Sequence, residues 1–294
     1  MSILNRASDG LVSVLVALCK ALVAYGPLSD DDLVDLVSPS SVGSKDMSKK
    51  TLSRWKQLGA FAVDTKGRTA LNPFLQSVTD EDIDLFREAV LDLVLQPENN
   101  ASSGLNQDEE HEASRASDLT RALSWVLAQN PYSFPTTWSG IQGLQNEQGI
   151  EPTVFVNDTR WVGFGEWSVF LGFCVSTHRH GVTVNPAFPA RVAVRRILPA
   201  GEIGVRDFIS ALSGIVPVFD GGKYRSIVDA QTSRPWQTLL PHQVSPSLSL
   251  ALLTLEAEKV VRLELRSDAP SSALLGRGGR EVRTASHIVS GGTA

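Results

Sequence analysis

The sequence predicts a mainly α-helical protein with small β-hairpins, organised as two or three tandem winged helix-turn-helix domains. The first 75 residues contain three short helical repeats of apolar residues, followed by two extended pieces around a Gly-containing turn. An ordered pattern of Trp, Leu-Gly, Gly-x-Thr and Asn-Pro then occurs twice, at residues 55–73 and 167–186. The last third of the chain repeats the order helix, helix, hairpin.

Composition restricts the class of protein. The chain has 294 residues, of which 42% are hydrophobic and only two are cysteines, so a disulfide framework is excluded. The most apolar early stretch, residues 11–19, is shorter than the roughly 20 residues that span a bilayer, and no basic leader with a cleavage site precedes it. We therefore expect a cytoplasmic protein without a membrane partner.

Each element of the first domain has a local cause. Residues 11–23 carry apolar side chains at helical spacing, and Gly26-Pro27 ends this first helix because proline lacks the N–H that a helix needs. Ser29 is typical of the N-cap of a second helix, whose positive first turn holds three aspartates. A third helix, from about Ser48 to Gly59, is followed by a hairpin whose turn contains Gly67.

The third helix is basic on the faces outside its apolar stripe, and the hairpin turn that follows carries two further basic residues. A recognition helix needs such a face to enter a major groove, and a basic wing can reach flanking phosphates. Winged helices also bind proteins, and Lys-rich faces are often only solvated, so both interpretations stay open here. The predicted contacts with double-stranded DNA are Lys49, Lys50, Ser53, Arg54 and Lys56 on the helix, and Lys66 and Arg68 on the wing.

Acidic residues are concentrated in one segment. Residues 76–118 hold 12 acidic and 2 basic residues, which leaves flanking segments with small positive net charges. A helix at 79–94 is followed by a stretch almost free of apolar residues, which predicts a flexible linker at about 96–114. The predicted domains are therefore a winged helix at 1–75, an acidic helix and linker at 76–114, a second winged helix at 115–200 and a third at 201–294.

The repeat predicts the elements of the second domain. The third domain is predicted from its order of helix, helix and hairpin. Helices are expected at 117–130, 136–148 and 158–172, with a wing turn at 177–181. In the third domain we expect helices at 205–216 and 246–265, then extended pieces at 272–275 and 280–288. Further DNA contacts are predicted at Arg160 and Arg179 of the second domain and at Arg277, Arg280 and Arg283 of the third.

Residues typical of catalysis are scarce. No Ser/His/Asp or Cys/His set is recognisable, and His178-x-His180 has no further ligand at metal-binding spacing. The glycine groups at 163–165, 221–222 and 276–279 lack the full dinucleotide or P-loop patterns and are interpreted as turns. Trp55 and Trp167 precede Leu-Gly in both repeats, which favours core anchors over base-stacking platforms. No catalytic residue, metal or cofactor is predicted.

Three segments together resemble one known family. They are Met1–Asp9 leading into the first winged helix, the 160–172 helix followed by Asn185-Pro186, and the 216–222 connector. They are similar to DpdG, a component of bacterial gene clusters that place 7-deazaguanine derivatives in DNA and restrict unmodified DNA. The resemblance implies a non-enzymatic accessory subunit of an anti-phage defence complex, whose other subunits carry the chemistry. The alternative is an adaptor whose winged helices bind a nuclease, helicase or ATPase without touching DNA.

Overall fold

The fold consists mainly of short helices, with small β-sheets between them along the sequence. The computed structural model describes residues 3–4, 11–39, 45–76, 82–100, 115–177 and 181–291. The predicted mainly helical class is confirmed for these residues. Their sheets have two or three strands and are antiparallel except for one two-residue parallel pair.

Two compact units divide the chain in an order that the linear sequence does not show. The first unit combines residues 1–120 with residues 157–171, and the second combines residues 121–156 with residues 172–294. The domain boundaries at 75, 114 and 200 stay a prediction.

The first unit begins with three helices and a hairpin, as its local sequence predicts. Ser29 caps the second helix by accepting the N–H of Asp32 at 3.1 Å. The hairpin pairs Phe61 with Leu71, and Leu28 adds a bridge to Thr69 at its edge. These elements are α1 (Val12–Tyr25), α2 (Asp30–Val37), α3 (Asp46–Gln57), β1 (Phe61–Val63) and β2 (Thr69–Leu71).

Three more helices of the described residues lie entirely within the first unit. They are α4 (Pro73–Gln76), α5 (Ile83–Leu95) and α8 (Asp158–Phe170). After α5, Pro97–Asn99 forms a 3-10 turn in which the Asn99 amide donates to the carbonyl oxygens of Leu58 and Leu93. Residues 97–100 thus belong to the packed fold, and the rest of the predicted linker, 101–114, lies outside the described residues.

The core of the first unit contains both tryptophans of the repeat. Trp55 of α3 and Trp167 of α8 are fully buried, and their ring centroids lie 5.2 Å apart. Arg87 of α5 fixes the end of α8 by donating to the carbonyl oxygen of Phe170 at 2.6 Å. The prediction that these tryptophans are core anchors is confirmed.

The second half of the chain continues with helices that the repeat predicts and with one that it does not. Helix α6 (Ser117–Leu127) and helix α7 (Trp138–Gln148) lie close to their expected bounds, and β3 (Cys174–Ser176) pairs with β4 (Val182–Val184). The sequence reasoning missed α9 (Ala187–Ile197), which follows the hairpin.

The two hairpins of the repeat start and end in the same way. Gly59 and Gly172 each follow the third helix with a positive φ, of 89° and 75°, which glycine adopts without a steric penalty. At the other end, the N–H of Asn72 donates to Ala60, and the N–H of Asn185 donates to Phe173. Leu-Gly and Asn-Pro therefore mark equivalent positions at the start and end of each hairpin.

The C-terminal region forms three helices and two small sheets. Strand order is β5-β10-β7 in one sheet and β6-β8-β9 in the other. The helices are α10 (Val205–Ile215), α11 (Lys223–Ala230), which was not predicted, and α12 (Pro246–Ala257). The strands are β5 (Glu202–Gly204), β6 (Gln243–Val244), β7 (Val261–Glu264), β8 (Ser272–Leu275), β9 (Glu281–Ala285) and β10 (His287–Ser290).

Two expectations about this half of the chain are wrong. The helix expected at 246–265 ends at Ala257, because Val261–Glu264 pairs with β10 instead. Lys259 has a φ of 61° at the break, where the two earlier repeats have glycine. Gly163 lies inside α8 rather than in a turn, and a Cβ there would come within 2.4 Å of the Leu4 carbonyl oxygen.

Candidate nucleic-acid interface

Helix α3 leaves one polar face open to solvent. Leu52 and Trp55 point into the first unit, whereas Lys49, Lys50 and Ser53 are exposed. Three of the predicted contacts therefore lie together on one accessible face of the helix that was expected to read DNA.

Arg54 is not on this face, and its predicted exposure is wrong. Arg54 is only 2% exposed, and one of its guanidinium nitrogens donates to Gln57 Oε1 at 3.1 Å. Ser48, Thr51 and Arg54 follow one another at three-residue spacing and are all buried, so the buried arc is wider than its apolar residues indicate. The cause is packing on more than one side, against α1, α2 and the Trp167 ring.

Lys56 is held by an acidic residue of α2. Its Nζ lies 2.6 Å and 2.7 Å from the two carboxylate oxygens of Asp30, which also accepts the Thr69 hydroxyl at 2.5 Å. Partial burial of Asp30 opposes ionisation, but the hydrogen bonds from Lys56 and Thr69 outweigh it and hold the pKa of Asp30 below its ordinary value. Lys49 lies near Asp31 more loosely, at 4.0 Å.

The hairpin turn after β1 is built around Asp64. Its carboxylate accepts the backbone N–H groups of Lys66 and Arg68 at 2.9 Å and 2.8 Å. The Arg68 guanidinium also binds it, with Nε 2.9 Å from Oδ2. Hydrogen bonds lower the pKa of Asp64, and the bond from the Arg68 backbone N–H has the largest effect. Lys66 is exposed at the tip, while Arg68 is paired beside it.

Sequence reasoning missed Asp30 and Asp64 as members of this surface. Asp64 could have been found, because an Asp two residues before a Lys-Gly turn is typical of a side chain that accepts turn N–H groups. Asp30 was identified only as a residue of the helix N-terminus. Its contact with Lys56 joins residues 26 positions apart and carries no local signal.

The second predicted recognition helix is largely covered. In α8, Trp161, Phe164 and Trp167 are buried, and Arg160 is half-buried near the N-terminus. Asn157 caps this end by accepting the Arg160 N–H at 3.0 Å. The predicted contact Arg179 lies outside the described residues, as does the His178-x-His180 pair.

Helix α12, the last helix before the wing of the predicted third domain, is also buried along most of its length. The Gly-rich turn after β8 exposes Arg277 and Arg280. Arg283 is only half-exposed, because it pairs with the Glu256 carboxylate and donates to the Leu263 carbonyl oxygen at 2.7 Å. The predicted arginines of this wing are thus two exposed residues and one that is tied to the fold.

Across the described residues, no cluster of three or more His, Cys, Asp or Glu lies close enough together to hold a metal ion. Within those same residues, none of the helices has the length and apolar character needed to span a bilayer. Cys19 is buried, and burial raises the pKa of its thiol to about 12.

The connector at 216–222 has a structural role. The Pro217 carbonyl oxygen accepts the N–H groups of Tyr224 and Arg225. Asp220 accepts the N–H of Ser245 at 2.7 Å and pairs with the buried Arg225. The connector therefore organises the starts of α11 and α12.

Comparison with known proteins gives one result. The sequence matches the DpdG-like family over residues 1–269, which is most of the chain. Neither a curated protein nor a solved structure gives a match. DpdG is part of the 7-deazaguanine DNA modification cluster. The length of the match assigns the chain to that family: this protein is a member of the DpdG-like family.

Proposed function

We propose that this protein is a non-enzymatic accessory subunit of the 7-deazaguanine DNA modification and restriction system. It binds duplex DNA through α1–α3 and the β1–β2 hairpin, acting as a winged helix. The observation that carries the proposal is the open face of α3, on which Lys49, Lys50 and Ser53 are exposed. The corresponding helices α8 and α12 are mostly buried, so neither presents a comparable exposed face to a DNA groove.

The position of these residues suits a recognition helix. Lys49, Lys50 and Ser53 belong to the first two turns of α3, and the N-terminal residues of such helices are the ones that reach base edges. Lys66 at the hairpin tip is free to approach a flanking phosphate. Arg54 and Lys56 are left out of the proposed contact set, because one is buried and the other is held by Asp30.

The test is a salt series with a triple variant, Lys49→Ala, Lys50→Ala and Lys66→Ala. Each lost phosphate contact lowers the slope of log affinity against log salt by about 0.9 on duplex DNA. We expect a weaker affinity and a slope reduced by about 2 to 3 in fluorescence anisotropy with a duplex of roughly 20 base pairs.

A matched control removes the same charge elsewhere. Lys20, Arg206 and Lys223 are exposed basic residues outside the proposed face, and their replacement by alanine should leave most of the slope in place. Equal affinity and slope for the first triple variant and the wild type would contradict the DNA-binding role.

A second candidate function is that of a protein–protein adaptor. The observation that favours it is the pairing of Lys56 with Asp30 and of Lys49 with Asp31, which makes the surface mixed in charge. Mixed patches suit a protein partner of complementary pattern better than a uniformly anionic duplex. Co-purification with nuclease, helicase or ATPase subunits of the same system, retained at salt that abolishes DNA binding, would support this function.

A further inference from the structure

Two carboxylates of α2 lie where DNA phosphates would compete for the lysines of α3. Asp30 and Asp31 occupy the first turn of α2, and each is near one lysine of α3. The two pairs differ in tightness. Lys56 contacts both oxygens of Asp30 within 2.7 Å and its side chain is 26% exposed. Lys49 lies 4.0 Å from Asp31, and both of their side chains are mostly exposed.

These differences predict different behaviour towards an anionic ligand. Lys56 would have to leave a carboxylate that Thr69 also binds, so its charge stays within the protein. The Lys49–Asp31 pair is exposed and long, and such pairs contribute little stability and exchange readily. A phosphate can therefore take the place of the Asp31 carboxylate beside Lys49.

We propose that Asp31 is an internal competitor for DNA phosphate at Lys49, and that it holds the non-specific affinity of the first unit down. This inference rests on the proposed DNA-binding function and concerns its regulation. A bound phosphate beside Lys49 lies near the displaced carboxylate, and the two anions repel each other. Asp30 restricts the same surface in a second way, because it keeps Lys56 out of the contact.

The competition has a signature in the salt dependence. A lysine that neutralises a phosphate releases about 0.9 of a condensed cation from duplex DNA. When that lysine first leaves an aspartate, the freed carboxylate attracts a cation again, so the net release is smaller. Removing the carboxylate should therefore raise the affinity and also steepen the slope.

The experiment compares Asp31→Asn with Asp32→Asn in the full-length chain. Asp32 lies on the same helix turn and loses the same charge, but its carboxylate receives the Ser29 hydroxyl at 2.6 Å instead of a lysine. We expect Asp31→Asn to raise affinity for a random-sequence duplex by up to about threefold at low salt, from Coulomb repulsion over roughly 7 Å in water. Its slope should steepen by up to about 0.9, and Asp32→Asn should change both quantities less.

A further variant separates this mechanism from a general charge effect. In the Lys49→Ala background, Asp31→Asn should raise the affinity less than it does in the wild type, because no lysine then holds a phosphate beside position 31. Equal gains for Asp31→Asn and Asp32→Asn would overturn the inference in favour of net charge alone. An unchanged affinity in Asp31→Asn, with a wild type that binds DNA, would overturn this inference and leave the proposed function intact. Absence of binding by both proteins would overturn the two together.

Discussion

Replacing Trp55 by alanine removes one of the largest side chains from the core of the first unit. Trp55 and Trp167 are both fully buried, with ring centroids 5.2 Å apart and ring planes inclined by 34°. Truncating a buried Trp to Ala costs about 3–5 kcal/mol in unfolding free energy, within a typical total of about 5–15 kcal/mol. The melting temperature should fall by about 10 °C or more.

The pairing of the two rings makes a second quantity measurable. Both residues belong to the first unit, so each alanine variant should lower the same transition. An aromatic pair contributes about 0.5–1.5 kcal/mol beyond its buried area, and this contribution is lost only once in the double variant. The cost of Trp55→Ala with Trp167→Ala should therefore be smaller than the sum of the single costs by about that amount.

Urea unfolding followed by circular dichroism, with the single and double variants side by side, measures this coupling. Trp55→Phe is the conservative control, because it keeps a ring against Trp167 and should cost clearly less than Trp55→Ala. Strictly additive costs would refute the contact between the rings. A normal unfolding curve with lost single-strand binding would refute the core assignment altogether and make the tryptophans base-stacking platforms.

Three further predictions concern other parts of the fold. Gly163→Ala should lower the melting temperature although alanine is the better helix former, because the new Cβ would meet the Leu4 carbonyl oxygen at 2.4 Å; Gly143→Ala, with open space around it, is the control that should not. A protease site inserted at 101–114 should give two fragments that co-elute in gel filtration, since the second fragment supplies α8 to the first unit; separate elution would count against that arrangement. Hydrogen bonds, first from Arg266, lower the pKa of Glu202 below its ordinary value near 4.5, so the stabilisation exists above that pH and is lost as the pH falls through the lowered pKa. Arg266→Gln should therefore reduce the melting temperature at pH 7, and the reduction should shrink as the pH falls through the lowered pKa of Glu202. A reduction that does not change with pH would exclude the ionic origin.

Local sequence determined the elements whose causes are local. Ser29 predicts its own helix start because its side chain accepts an N–H three residues away. Gly59 and Gly172 predict the ends of their helices because both adopt a positive φ. The hairpins follow from the same short-range signals, which is why an internal repeat could be recognised without any knowledge of contacts.

The accessible surface of α3 required the tertiary structure. Periodicity placed Arg54 beside the lysines, but packing on several sides of the helix buries it. The pairing of Lys56 with Asp30 joins residues on different helices, so neither segment alone predicts it. Two of the predicted contacts were therefore removed from the open face by partners that lie far away in the sequence.

The order of the chain in space was also decided by long-range packing. Helix α8 has the sequence of the second repeat but belongs to the unit of the first, where Trp167 meets Trp55. The apolar positions after Ala257 fit a helix or a strand equally well, and only their pairing with β10 selects the strand. Sequence patterns determined which local elements these residues can form, whereas burial and strand pairing, which depend on distant residues, decided which form is adopted and which side chains stay exposed.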